Sequence, residues 1–326
     1  MVTLTLRFDL RVPSFATTTH AEQYASALDM AEWADHNGFT TVVVSEHHGT
    51  DDGYMCAPLV LAGAILGRTR EIRVTVSAVL VPLHDPLRLA EQIATLDLLS
   101  GGRIVVVAGL GYRPEEFAMA GVDRRRRGAL VEEYIDVMRT AWTGEPFPYR
   151  GTTCRVTPRP ATSPHPLVLL GGSSTAAARR AARLRLPFAP AVADPDLVAE
   201  YERACAEVGF EDGFVASPSG PGFVHVTRDP ERAWAQIGPH ALWDAQTYAA
   251  WQTPGQRSAV DVHATTVDEV RASGVYRVVT PDECVALARD HGNVMLHPLM
   301  GGMSPQLGWE SLELFAAEVL PRLPPG

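Results

Sequence analysis

Short apolar, β-branched runs alternate along the chain with longer segments whose apolar residues recur at helical spacing. This alternation predicts parallel strands joined by crossover helices. Asn37-Gly38 and Gly101-Gly102, which follow two of the helical segments, are helix stop signals. The predicted strands are 4–10, 39–44, 72–81, 104–108, 167–170, 188–190, 222–227, 275–279 and 294–297. The predicted helices are 21–36, 58–68, 86–99, 125–142, 174–185, 195–208 and 305–320.

The order of these elements predicts a single α/β domain over residues 1–326. Roughly eight strand–helix alternations run without a break in composition, and a chain of more than about 250 residues suits a closed (β/α)8 (TIM) barrel. A doubly wound open sheet is the alternative fold. Gly109-Leu110-Gly111 follows a predicted strand, but the third glycine of a dinucleotide-binding fingerprint is absent.

Two connections are longer than ordinary barrel loops. Residues 149–166 are proline-rich, and residues 238–274 contain Trp243, Tyr248 and Trp251 but no clear strand. The second segment is predicted to be an insertion on the C-terminal face of the barrel. It would either cover the active site or form a surface excursion.

Composition excludes several classes of function. The chain has 28 basic and 38 acidic residues, so its net charge of −10 argues against nucleic-acid and membrane-surface binding. Every basic residue is arginine, which excludes Schiff-base, pyridoxal-phosphate and P-loop lysine chemistry. No signal peptide or membrane-spanning run is expected, and a cytoplasmic location is predicted. The four cysteines, which fit no C-x-x-C motif, are Cys56, Cys154, Cys205 and Cys284.

The densest group of titratable residues, Glu46-His47-His48, follows the predicted strand 39–44. In a barrel, the residues that follow strands form the active-site mouth, so this group is a candidate catalytic site. Adjacent residues on extended backbone point to opposite sides, whereas metal-dependent barrel hydrolases commonly use His-x-His. No second ligand cluster stands at another strand end, and no metal site is predicted.

A second signal is Gly171-Gly172-Ser173-Ser174-Thr175, where a strand runs into small residues that open a helix. Backbone N–H groups and hydroxyls at a helix N-terminus form a site suited to phosphate. An ordinary serine cap is the alternative interpretation.

A third signal is Pro82, His84 and Pro86, followed by a helix that ends in Ser100-Gly101-Gly102-Arg103. With the two signals above, it resembles the bacterial luciferase-like flavin monooxygenase family, and the resemblance runs from Leu4 to about Leu320. The C-terminal segments that share it are His297-Pro298, Gly301-Gly302 and Trp309-Glu310-Ser311.

The resemblance implies a barrel that binds a flavin at its C-terminal mouth. The flavin phosphate would lie near Gly172, Ser173, Ser174 and Thr175, and the ring near Ser77, Ala78 and Gly109. The family also carries a bulge at the end of its third strand. Matching that motif predicts a non-proline cis peptide bond between Ser77 and Ala78.

The activity that the resemblance implies is a two-component monooxygenase. A separate flavin reductase would supply reduced FMN, which with O2 gives a C4a-hydroperoxyflavin that oxygenates a small organic substrate. His47 would be the catalytic acid or base. Glu46 and His48 complete the catalytic group, with His48 mainly structural. The family resemblance also implies a homodimer.

The chain departs from the family at one position. In luciferase an arginine after the fourth strand reaches the flavin phosphate, and the matching residue here is Leu110. The arginine run at 124–127 could replace it, or could simply begin a solvated helix. A deazaflavin (F420) dependent hydride-transfer enzyme and a non-catalytic flavin-binding protein are the alternative functions. Light emission is not implied.

Overall fold

The computed structural model describes residues 2–253 and 255–324. Met1, Pro254, Pro325 and Gly326, which belong to the predicted single domain, lie outside the described residues. The strands are β1 (Thr3–Phe8), β2 (Thr41–Val44), β3 (Arg73–Leu80), β4 (Ile104–Gly109), β5 (Phe147–Tyr149), β6 (Thr152–Cys154), β7 (Leu167–Gly172), β8 (Phe188–Pro190), β9 (Phe223–Val226), β10 (Tyr276–Val279) and β11 (Asn293–Leu296).

The α-helices alternate with the longer strands. They are α1 (His20–His36), α2 (Pro58–Arg68), α3 (Pro86–Ser100), α4 (Pro114–Ala120), α5 (Arg127–Trp142), α6 (Thr175–Arg183), α7 (Pro195–Glu207), α8 (Pro230–Trp251), α9 (Val267–Ala272), α10 (Pro281–His291) and α11 (Pro305–Leu314).

Local sequence explains where many helices begin and end. Thr19 and Glu22 form a reciprocal capping box at the start of α1, and Asp85 caps α3 by accepting from two backbone N–H groups. Gly101 and Gly292 end α3 and α10 in the left-handed conformation that glycine adopts at little cost.

The chain divides into two compact units. The first comprises Met1–Cys56 and Pro218–Gly326. In it β1 pairs in parallel with β2 and β11, β11 with β9, and β9 with β10, which gives the order β10-β9-β11-β1-β2. Leu4, Leu6 and Phe8 are buried on one face of β1, so Arg7 lies on the opposite face.

The second unit is Ala57–Ser217. Its parallel strands follow the order β3-β4-β7-β8, and β5 and β6 form a separate antiparallel hairpin. The register of β3 against β4 shifts between Ser77 and Val79, which marks a bulge. Arg103, from the family-like Ser-Gly-Gly-Arg motif, donates to the carbonyls of Leu66 and Ile72 and so ties the end of α2 to the approach to β3.

The predicted parallel α/β architecture is confirmed, and the structure adds helices that the sequence pattern did not predict. Within the predicted insertion 238–274, α8 continues through Pro239 to Trp251, and α9 is a short helix. The helices α4, α8, α9 and α10 are the ones that the sequence pattern did not predict. The segment 149–166 begins with the end of a short hairpin. The single-domain assignment stays a prediction.

Within residues 2–253 and 255–324, no helix is long and apolar enough to cross a membrane.

Candidate active site

The Glu46-His47-His48 group follows β2 and splits to two sides, as the alternation of extended backbone predicts. His48 Nε2 lies 2.8 Å from Glu46 Oε1, and the Glu46 side chain is fully buried. His47 is buried as well, and its backbone N–H donates to the carbonyl of Met55 at 3.0 Å. Glu46 and His48 therefore form a pair, while the His47 imidazole occupies separate surroundings.

Aromatic rings enclose the His47 imidazole. Its centroid lies 4.8 Å from the Tyr54 ring at an interplanar angle of 90° and 4.7 Å from the Trp251 ring. The Tyr248 ring is 6.3 Å away. Tyr248 and Trp251 come from the last turn of α8, where a spacing of three residues places them on one face. The end of α8 thus covers the candidate catalytic histidine.

An ion-pair network fastens α8 to the loop that carries His47. Arg11 is fully buried, and it donates from Nε to Asp52 at 2.6 Å and from Nη1 to Asp244 at 2.7 Å. Asp52 lies in the loop after β2 and Asp244 lies in α8. The Arg11 guanidinium carbon also lies 5.5 Å from the Tyr54 centroid and 5.5 Å from the Trp251 centroid. We name Arg11, Asp52 and Asp244 the arginine clamp.

The charges of the clamp fix its protonation. Burial acts to lower the pKa of Arg11, but the carboxylates of Asp244, Asp9 and Asp52 outweigh it and raise the pKa above its usual value. Burial acts to raise the pKa of Asp52, and Arg11 together with the Trp243 indole N–H holds it below its ordinary range. Both members of this ion pair are therefore charged at neutral pH.

Asp9 and His297 lie beside the clamp and respond to burial. Burial raises the pKa of Asp9 to about 7, against the opposing charge of Arg11 and hydrogen bonds from the Gly301 and Arg11 N–H groups. Burial, then the positive charges of Arg7 and Arg11, hold the pKa of His297 well below its ordinary value. His297 is therefore neutral at pH 7.

In the second unit, the predicted cis peptide bond between Ser77 and Ala78 is confirmed. Ser77 is exposed and Ala78 partly exposed, although β3 is paired along its length with β4. A Cβ atom at Gly109 would lie 2.7 Å from Ala78 Cβ, so glycine is required where β4 passes the bulge. The three residues predicted to lie near a flavin ring thus form one surface of small residues.

The predicted phosphate-binding turn ends β7 and begins α6. Ser174 caps α6 by accepting from the Ala177 N–H at 3.3 Å, which agrees with the serine-cap interpretation. The N–H groups of Thr175 and Ala176 have no acceptor among the described residues, and both residues are exposed. A Cβ atom at Gly172 would lie 2.4 Å from Ala177 Cβ. The turn therefore combines a required glycine with open N–H donors.

Three arginines of the second unit lie close together. Burial and then the positive charges of Arg124 and Arg180 lower the pKa of Arg127. Arg180, on α6, donates to Glu132 at 2.7 Å, whereas Arg124 and Arg127 donate to backbone carbonyls. This concentration of positive charge is suited to a phosphate group.

A cleft of about 460 Å³ lies elsewhere in the first unit. Its walls come from the end of β9, the start of α8 and α11, and they include His225, Arg232 and Glu310. Burial lowers the pKa of His225 to about 4. None of the residues predicted for catalysis or cofactor binding lines this cleft.

Sequence reasoning found His47 but missed most of its surroundings. The first unit brings Glu46, His47 and His48 into one loop, and the second brings Ser77, Ala78 and Gly109 onto one surface. No sequence motif contains the arginine clamp. Asp52 is 41 positions from Arg11 and Asp244 is 233 positions from it, and such separations leave no local pattern. Tyr248 and Trp251 were noted as aromatics, and helical spacing would have placed them on one face.

The profile of the luciferase-like monooxygenase family matches residues 7–289. A protein of Mycobacterium tuberculosis is 36% identical over 168 residues, which span 44% of this chain and 60% of that protein. Limonene 1,2-monooxygenase of Rhodococcus erythropolis is 25% identical over 273 residues, or 80% of this chain and 70% of the relative. The match to the mycobacterial protein thus spans less than two thirds of that relative's length.

Solved structures agree in fold. Monooxygenase RslO1 from Streptomyces bottropensis has a TM-score of 0.77 and 26% identity over 98% of this chain and 99% of its own. The FMN complex of the oxygenating constituent of 3,6-diketocamphane monooxygenase from Pseudomonas putida has a TM-score of 0.71 and 19% identity, with 100% of both chains covered. An F420-dependent secondary alcohol dehydrogenase reaches 0.70 with 17% identity, again over 100% of both.

These structural neighbours are TIM-barrel enzymes of the luciferase-like type, so the predicted (β/α)8 class is confirmed. The family profile covers most of the chain, from the strand that carries Arg7 to the helix before the last strand. The chain belongs to the luciferase-like monooxygenase family.

Proposed function

We propose that this chain is the oxygenating component of a two-component flavin-dependent monooxygenase. It would use reduced FMN from a separate flavin reductase, together with O2, to oxygenate a small organic substrate. The observation that carries the proposal is the His47 imidazole, which is buried among Tyr54, Tyr248 and Trp251. A titratable ring enclosed by aromatic rings is suited to proton transfer where water must be excluded.

A bound reduced flavin supplies the electrons that activate O2, which no protein side chain can do. The chain's own residues have other tasks. His47 would hold or deliver a proton at its imidazole nitrogen. The rings from the end of α8 would keep water away from it. Glu46 would fix the orientation of His48 through their 2.8 Å contact, so that the loop keeps its shape.

The residues of the second unit fit a phosphorylated flavin. The open N–H groups of Thr175 and Ala176 stand at the positive end of α6, and a phosphate is the anion best suited to such a site. Arg124 and Arg127 have no carboxylate partner among the described residues. They would take the role of the family's arginine, because this chain has Leu110 at the matching position. Ser77, Ala78 and Gly109 would let a flat ring approach the backbone.

Recognition of the flavin phosphate by these residues gives a direct prediction. We expect reduced FMN to bind at least about tenfold more tightly than reduced riboflavin, because charge-assisted hydrogen bonds are among the stronger polar contacts. Arg127→Gln should remove much of that preference, whereas Arg70→Gln, a variant of an exposed arginine after α2, should keep it. Anaerobic titration followed by flavin fluorescence measures the dissociation constants of both reduced flavins. Equal binding of the two flavins would show that nothing here recognises the phosphate.

The experiment that tests the function compares cofactors under turnover. The chain is supplied with FMN, a generic flavin reductase and NADPH, and substrate-dependent O2 consumption is recorded against the reductase alone. A parallel reaction uses F420 without O2, since one structural neighbour is an F420-dependent dehydrogenase. Turnover only with F420 would replace the proposal by hydride transfer. Flavin binding without turnover in either reaction, across a substrate panel, would favour a non-catalytic flavin-binding protein.

The remaining parts of the proposal follow the family resemblance. We propose that the chain acts in the cytoplasm as a homodimer. Light scattering of the purified chain tests the dimer, since a monomeric mass at micromolar concentration would contradict it.

A further inference from the structure

Arg7 is a cation that the arginine clamp does not neutralise. Its Nη2 atom donates to the Tyr248 hydroxyl at 3.0 Å, and the Tyr54 hydroxyl lies beside it. No carboxylate of residues 2–253 or 255–324 lies within ion-pair distance of its guanidinium. Its Nε atom is buried and has no acceptor among the residues that the structure describes. A guanidinium partly withdrawn from water needs acceptors for its five N–H groups, and two phenol oxygens do not supply them all.

The acidic groups nearby are engaged elsewhere. Asp244 accepts from Arg11 through Oδ1 and from the Tyr276 hydroxyl through Oδ2, each at 2.7 Å. Asp52 accepts from Arg11 and from the Trp243 indole N–H. Asp52 Oδ1 is buried without a hydrogen-bond partner among the described residues, but neither carboxylate of the clamp lies within ion-pair distance of Arg7.

The hydroxyls of Tyr248 and Tyr54 continue a chain of hydrogen bonds that begins at Arg7. The Tyr54 and Tyr248 hydroxyls lie 2.8 Å apart. Because a guanidinium only donates, the Tyr248 oxygen accepts from Arg7 and its own proton can go to Tyr54. The Tyr54 proton then has no acceptor within the described part of the chain. Arg7 Nε and the Tyr54 hydroxyl are thus two donors without acceptors in one place.

Arg7 lies at the edge of this buried group. The residue as a whole is half-buried, its Nε atom is covered, and Tyr54 and Tyr248 are buried. The rings of the same two tyrosines lie beside His47, at 4.8 and 6.3 Å between centroids. An oxygen held by Arg7 would therefore lie near the histidine proposed for proton transfer.

We propose that Arg7, with the Tyr54–Tyr248 pair, binds an anionic oxygen of the organic substrate. The substrate class would then be an organic acid, which presents a carboxylate to the guanidinium. The inference rests on the proposed function, because the occupant is the substrate of that reaction. It adds a recognition residue and a chemical class.

The test measures binding without flavin, O2 or turnover. Benzoate, 4-phenylbutyrate and octanoate are each titrated calorimetrically against the corresponding amide, which has a similar shape without the charge. We expect at least one acid to bind about tenfold more tightly than its amide. Arg7→Gln should abolish that difference, and Arg289→Gln, a variant of an exposed arginine on α10, should preserve it.

Equal binding of every acid and its amide, or absence of binding by all of them, would overturn the inference. So would an Arg7→Gln variant that keeps the preference for the acid. If that variant does not fold, Tyr248→Phe serves in its place and should weaken acid binding severalfold, and unchanged binding would count against the proposal.

A further titration with anaerobic reduced FMN separates two sources of anionic oxygen. If Arg7→Gln weakens the binding of reduced FMN as strongly as the binding of the acid, Arg7 belongs to the flavin site and the substrate assignment is wrong. The acid titrations contain no flavin, so a chain that is inactive with FMN could still bind acids. Failure of the acid-binding inference is therefore distinguishable from failure of the proposed function.

Discussion

The Asp244→Ala variant is expected to lose about 3 kcal/mol or more of its free energy of unfolding. Removal of one partner from a buried ion pair leaves an uncompensated charge, which typically costs about 3–5 kcal/mol. Here Arg11 is fully buried, and Asp52 remains as its only ion-pair partner in the clamp. The Tyr276 hydroxyl would lose its acceptor as well. The loss therefore combines a buried charge with a buried unpaired hydroxyl.

Urea unfolding followed by tryptophan fluorescence measures the effect. Asp290→Ala, which removes an exposed carboxylate at the end of α10, is the matched control and should change the unfolding free energy by less than about 0.5 kcal/mol. Asp244→Asn should fall between the two, because the amide oxygen can still accept from Tyr276. A loss of less than about 1 kcal/mol in Asp244→Ala would mean that Arg11 is solvated or finds another partner.

The sequence could predict some parts of the fold and not others. Strands and helices are local patterns, so residues 58–68 and 188–190 were predicted with the observed bounds. Pro239 lies inside α8, where a proline ordinarily ends a helix. The helix continues because its residues on both sides of Pro239, among them Trp234, Ile237 and Ala241, are packed in a buried cluster. Tertiary packing of this kind is invisible to local propensity.

The candidate site shows the same division. The motif that contains His47 is contiguous, so its three titratable residues after a strand stand out in the sequence, and its catalytic role stays a prediction. Arg11 and Asp244 could not be paired by any spacing rule, since only the fold brings them within 2.7 Å. Arg7 belongs to no motif in the sequence. Its missing carboxylate partner became visible once the neighbours of its guanidinium were known.

Replacement of His47 should give the largest effect on turnover. We expect His47→Ala to fold, to bind reduced FMN, and to lose at least about tenfold in oxygenation, the lower end of what a lost general acid or base costs. His47→Phe fills the space among Tyr54, Tyr248 and Trp251 with a ring that carries no proton. It should be equally impaired if proton transfer matters and nearly normal if His47 only packs.

His36→Ala, which removes an exposed histidine at the end of α1, is the matched control. It should retain most of the turnover. Added imidazole provides a readout that a packing role would not give, because free imidazole can enter the space left in His47→Ala and carry the proton. We expect turnover of His47→Ala, but not of His47→Phe, to rise with imidazole concentration. Wild-type turnover in either variant would contradict the assignment of His47 as the proton-transfer residue.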